Sequence, residues 1–216
     1  MQTKNLRAAT IAVIENGCRL LEDAKLLEEM SRFPTAYALC ILAQEEYGKA
    51  FLLYLAEGQS IPWTKGFHRA LRNHHCKQLV ALLMEYLQRD DFLELLKDPD
   101  RFRGASTLPD HVMDAMHIIV HEHMNSLDRD DWLGETREVH PVANRIAQGV
   151  LDREKQMGLY VGVDRDGVVR ESPAVITADR CRDEIARTEK VSNALSISQG
   201  VVSLAASFDV PDSSNL

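Results

Sequence analysis

Residues 34–56 read PTAYALCILAQEEYGKAFLLYLA. Pro34 and Thr35 suit a helix start, and nothing breaks the helical pattern before Glu57-Gly58. Ala36 to Ala43 is apolar on every side, so this helix is predicted to lie at the centre of a bundle. Small residues (Ala36, Ala38, Ala43, Gly48, Ala50) leave room for close neighbours. The run is then interrupted by Gln44-Glu45-Glu46-Tyr47-Gly48-Lys49. Leu39, Ala43, Glu46, Ala50 and Leu53 share one stripe, which places Glu46 where a core residue belongs. A buried carboxylate needs a partner, and Lys49 is within reach of Glu46 and of Glu45. The plainer reading is an intrahelical ion pair with Glu45 turned to water.

The chain on either side is also predicted to be mainly helical. Ile11, Ile14, Cys18, Leu21, Ala24 and Leu27 recur at helical spacing over about residues 5–31. A third helix is expected over 64–86, then one over 110–125, one over 141–157 and a last one over 178–207, with Thr177 as its cap. Residues 159–170 change character: two valine-rich runs flank Asp164-Arg165-Asp166-Gly167, which reads as a small hairpin. Leu93-Glu94-Leu95-Leu96 suggests a short continuation of the third helix. The expected architecture is all-α, with 90–140 an insertion, a β-hairpin before the last helix, and a loose tail at 209–216.

Of 216 residues, 45% are hydrophobic and 27% charged, an ordinary globular composition. Lys and Arg number 25 against 33 Asp and Glu, a formal net charge of −8. A broad basic surface that coats nucleic acid is thereby excluded, so DNA is not an expected partner and any RNA must be held by a local pocket. No apolar run is long enough to span a membrane, and the N-terminal residues do not form a secretory h-region. Cys18, Cys40, Cys76 and Cys181 are far apart with no Cys-x-x-Cys pair, as expected of packed thiols in a reducing cytoplasm.

Three further clusters carry chemistry. Arg69-Ala70-Leu71-Arg72-Asn73-His74-His75-Cys76-Lys77 places His74 and Lys77 on one helix face, a proton carrier beside a phosphate-binding cation. His75 points about 100° away from His74, so one of the pair lines any given site. Arg153, Lys155 and Tyr160 cluster where a helix meets the hairpin, which also suits simple C-terminal capping. His117 and His121, with Asp114 one turn earlier and His123 beyond, have a spacing that can bind a divalent metal. The chain has no Glu-x-x-His, which argues against a ferritin-like di-iron bundle, and no glycine-rich phosphate loop.

Taken together, residues 16–27, 35–50, 74–77 and 155–161, with Pro173 and the last helix, resemble the AbiV family of abortive-infection proteins, a branch of the HEPN superfamily. The resemblance implies a HEPN-like helical domain over 1–208, a homodimer, and a part in bacterial phage defence. Many HEPN proteins are metal-independent endoribonucleases with an Arg-x(4–6)-His motif; here that spacing is met by Arg69 with His74 or His75, inside the expected third helix. The site residues this implies are Glu46 and Lys49 as a central pair and His74 as acid/base. Lys77, Lys155 and Tyr160 stand beside the phosphate, and Arg69, His75 and Arg153 as substrate contacts. No metal or cofactor is expected. Three readings stay open: an RNA-cleaving effector, a catalytically inactive HEPN module acting on a phage or host translation protein, or a metal-dependent hydrolase using His117 and His121.

Overall fold

The computed structural model describes residues 3–87, 108–133 and 138–207, with side chains over 5–87, 108–131 and 138–195. Helix α1 spans Thr3–Glu29 and α2 Phe33–Glu57, with Pro34 in its first turn. The expected third helix is two. α3, Lys65–Ala70, is capped by Thr64, whose Oγ1 accepts from the Phe67 N–H at 3.1 Å. After Leu71-Arg72-Asn73 the chain restarts as α4, His74–Tyr86, where Asn73 Oδ1 accepts from the Cys76 N–H at 2.9 Å. An asparagine cap competes with helix continuation, and this sets the break.

α5, Asp110–Ile118, runs into a π-helical turn, Ile119–Asn125, which Ser126 ends at φ 61°. α6 is Arg129–Leu133. The helix expected over 141–157 is also divided, into α7, Pro141–Ala147, and α8, Val150–Leu159. Gly149 lies between them at φ +73°, a conformation that suits glycine. β1, Gly162–Val163, and β2, Val169–Glu171, form the hairpin, and Pro173–Val175 a 3-10 turn. The final helix, α9, is Ala178–Ser207. Among the described residues the fold is all-α apart from that hairpin. Residues 90–107 and 134–137 of the expected insertion, Leu93–Leu96 among them, and the tail at 209–216 lie outside the described residues.

α2 is central, packed by α1, α4, α8 and α9. Ala36, Ala38, Cys40, Ile41, Ala43, Tyr47 and Ala50 are fully buried or nearly so. The backbones of its neighbours come very close. A Cβ on Gly48 would lie 2.3 Å from the Lys77 carbonyl oxygen on α4, and one on Gly158 of α8 would lie 2.5 Å from that of Pro34. Among the described residues no helix is long and apolar enough to cross a membrane.

Cys40, Cys76 and Cys181 are fully buried, and burial pushes the first two thiols up to about 12 and the third to about 11. A native protein should therefore show one thiol, Cys18, reactive toward a disulfide reagent at neutral pH, and four in denaturant. Fast reaction of a second thiol without unfolding would contradict this packing.

Candidate active site

Among the described residues, the acid with the most buried side chain on α2 is Glu45, at 2% exposure. Its carboxylate receives four donors from two other helices. Lys155 Nζ on α8 donates to Oε1 at 2.8 Å, and Gln78 Nε2 on α4 donates to the same oxygen at 2.9 Å. On Oε2, His74 Nδ1 lies at 2.6 Å and Lys77 Nζ at 3.1 Å, both from α4. Asp152, one turn before Lys155, holds that ammonium at 2.7 Å. Lys77 and Lys155 are buried, whereas the His74 side chain is 52% exposed.

The electrostatics follow from the geometry. Burial alone would raise the Glu45 carboxyl; the bonds from Lys155 and His74 and the charge of Lys77 outweigh it and hold the group below its ordinary value. Asp152 is likewise held low against partial burial by Lys155, with the charges of His74 and His75 adding to the effect. Burial would lower Lys155, but Asp152 and Glu45 raise it instead. Glu45 is therefore a carboxylate at neutral pH, and the proton on the short His74 contact belongs to Nδ1. Nε2 is left on the exposed side with no partner among the described residues.

Glu45, His74 and Asp152 each offer a ligand atom, all within 4.8 Å of one another, a spacing that suits a divalent cation. Lys155 Nζ stands between the two carboxylates and supplies the positive charge an ion would bring.

Glu46 is not the residue the core takes in: it is half-buried and paired with Lys49 along the helix at 3.4 Å. On a helix apolar all round, periodicity does not single out one stripe, and the neighbouring helices decide which acid is enclosed. His74, Lys77 and Lys155 converge on Glu45. His75 is half-buried, and its Nε2 would lie 2.8 Å from a Cβ on Gly149. Arg69 is drawn elsewhere: its guanidinium donates to the His123 carbonyl at 3.0 and 3.2 Å and to that of Met124 at 3.5 Å, tying α3 to the π-helical turn. Arg153 donates to the Gln148 carbonyl at 3.0 Å, and Tyr160 is 67% exposed just beyond α8. Asp114, of the competing histidine set, accepts the His140 N–H at 2.7 Å, which anchors the start of α7.

Sequence reasoning missed Glu45 as the centre, and Gln78 and Asp152 entirely. The available signals were the Asp152–Lys155 spacing of three and a second polar residue directly after Lys77. A second group lies alongside. Tyr37 donates to Glu154 Oε2 at 2.8 Å, and Arg180 reaches Glu154 Oε1 at 2.6 Å while lying 5.0 Å above the Tyr37 ring.

The described residues form a helical fold, as HEPN-type proteins do, and the comparison with family models agrees. The model named HEPN_AbiV, described as AbiV, matches residues 5–193. The chain belongs to the AbiV family, which gives it an abortive-infection function of the HEPN type. Neither the curated proteins nor the solved structures give a match.

Replacing Glu45 by Gln leaves Lys77 and Lys155 buried with one carboxylate fewer, and should lower stability by about 3 kcal/mol at pH 7 in denaturant titration. Because folding lowers the Glu45 value, its contribution is complete above the ordinary carboxylate range and fades as pH falls through the lowered value. The acid-side loss of stability should shrink in Glu45→Gln. An unchanged acid limb would contradict the coupling.

Proposed function

We propose that the chain is a HEPN-type antiphage effector that cleaves RNA without a metal, with His74 as the proton-transfer residue. The supporting observation is the Glu45–His74 pair: a buried carboxylate orients Nδ1–H of a half-exposed imidazole and leaves Nε2 free to accept a proton. Nε2 takes the proton of a ribose 2′-hydroxyl, the 2′-oxygen bonds to the adjacent phosphorus, and the P–O5′ bond breaks. The departing 5′-oxygen takes its proton from water. The products are a 2′,3′-cyclic phosphate and a 5′-hydroxyl.

Lys77 and Lys155 support this chemistry indirectly, because their charges are spent on Glu45 and Asp152. Attraction for the phosphate comes instead from the start of α4. His74 and His75 are its first residues, and their N–H groups are not used by the Asn73 cap, which takes the Cys76 N–H. Arg153 and Tyr160 are accessible for holding the strand.

The neutralised lysines and the net charge of −8 favour one second reading: an inactive HEPN module that binds a phage or host translation protein. One experiment separates the two. Purified protein is incubated with single-stranded RNA in EDTA, and phage protection is scored in cells. Cleavage with cyclic-phosphate ends should fall at least about 100-fold in His74→Ala, stop on RNA with a 2′-deoxy scissile residue, and be lost together with protection. Intact RNA, with protection kept by His74→Ala, would sink the ribonuclease reading and leave the binding module.

A further inference from the structure

Three ligand atoms of the Glu45 cluster surround one point, and a cation already stands there. Lys155 Nζ lies 2.7 Å from Asp152 Oδ1, 2.8 Å from Glu45 Oε1 and 3.4 Å from His74 Nδ1. The ligand atoms that these three residues offer lie within 4.8 Å of one another, and among the described residues no other three metal-ligating side chains converge in this way. One imidazole and two carboxylates make a three-ligand zinc set, with the fourth position left to water. The nitrogen favours zinc and its neighbours over magnesium, which prefers oxygen alone. Solvent reaches the cluster from one side. Glu45 is its buried floor, but the Asp152 side chain is 23% exposed and that of His74 52%. Lys155 is held on a flexible four-carbon stem, so its ammonium can turn out to water with its protons.

We infer that Glu45, Asp152 and His74 take a zinc-class divalent cation in exchange for the Lys155 ammonium, and that the ion switches His74 off as a base. Zinc on Nδ1 needs the lone pair that Nδ1 lacks while it donates to Glu45. The proton moves through water to Nε2, the imidazole stays neutral, and no proton is gained or lost overall. Nε2 then carries a hydrogen and has no lone pair with which to accept another. With zinc in place, the ion and Lys77 bring three positive charges to two carboxylates. Binding is therefore weaker than at a structural zinc site, and a chelator reverses it. RNA cleavage itself stays metal-free, because the ion is an inhibitor. That consequence rests on the ribonuclease reading; the binding site does not.

The test is a chelator-competition titration of the full chain with zinc, which should bind one ion per chain. Long-range proton–nitrogen NMR should show His74 as the Nδ1–H tautomer before zinc and as Nε2–H after it. Asp152→Asn should weaken binding by about tenfold or more, and Lys155→Met, which removes the competing charge, should tighten it by about as much. If Lys155→Met does not fold without metal, zinc should restore its helical circular dichroism. His117→Ala/His121→Ala, a histidine pair with ring centroids 6.1 Å apart at the junction of α5 and the π-helical turn, should bind zinc as the wild type does. On RNA, cleavage should stop as zinc saturates and return with EDTA. The site is overturned by no binding below about 1 mM zinc, an Asp152 variant that binds as the wild type does, or a Lys155 variant that zinc neither binds more tightly nor refolds. Loss of binding in the His117/His121 variant would overturn it too. Zinc binding with the tautomer change, on a chain that leaves RNA intact in EDTA, would keep the site and sink the ribonuclease reading instead.

Discussion

One ionised carboxylate, Glu45, organises the interior around it. Removing a carboxylate from water costs several kcal/mol, and only full hydrogen bonding and opposite charge make that tolerable. Glu45 obtains four donors, and all of them come from α4 and α8. The helices must therefore approach α2 closely and at one register, which Gly48 and Gly158 allow by leaving out a Cβ at each crossing. Two lysines balance two carboxylates in the cluster, and His74 is its most exposed member.

The remaining buried polar groups of α2 act in the same way toward other neighbours. Gln44 Nε2 bonds Glu184 at 2.6 Å and Thr188 at 2.8 Å on α9. Tyr37 ties to Glu154 on α8 and to Arg180 on α9. A helix that is apolar on all sides has no preferred rotation from hydrophobicity alone. Tyr37, Gln44 and Glu45 supply that preference, because each finds its hydrogen-bond partners only when its own partner helix is in place. The polar residues of the greasiest helix thus serve specificity, and one of them also carries the exposed histidine.

The break between α3 and α4 has a functional consequence. Had residues 64–86 been one helix, Arg69 and His74 would have kept a fixed offset of about 140° on a single rod. Instead Asn73 starts a new helix at His74, and Arg69 turns to the carbonyls that end the π-helical turn. The Arg-to-His spacing in the sequence therefore does not describe the cluster; the cations near His74 are lysines, one of them from 81 residues further along the chain.

Periodicity and composition determined the helical class, the central place of residues 34–56, the hairpin after residue 159 and the extent of the last helix. These depend on local spacing and on burying apolar area, which a single chain writes plainly. His74, Lys77 and Lys155 were legible as chemistry-bearing residues, and an acid among Glu45 and Glu46 was legible as anomalous. Tertiary structure decided which acid: α4 and α8 close over Glu45 and leave Glu46 to pair with Lys49. It also recruited Gln78 and Asp152 and sent Arg69 elsewhere. The rotation of an all-apolar helix and the convergence of residues 45, 74 and 155 are set by long-range contacts, and no local pattern encodes them.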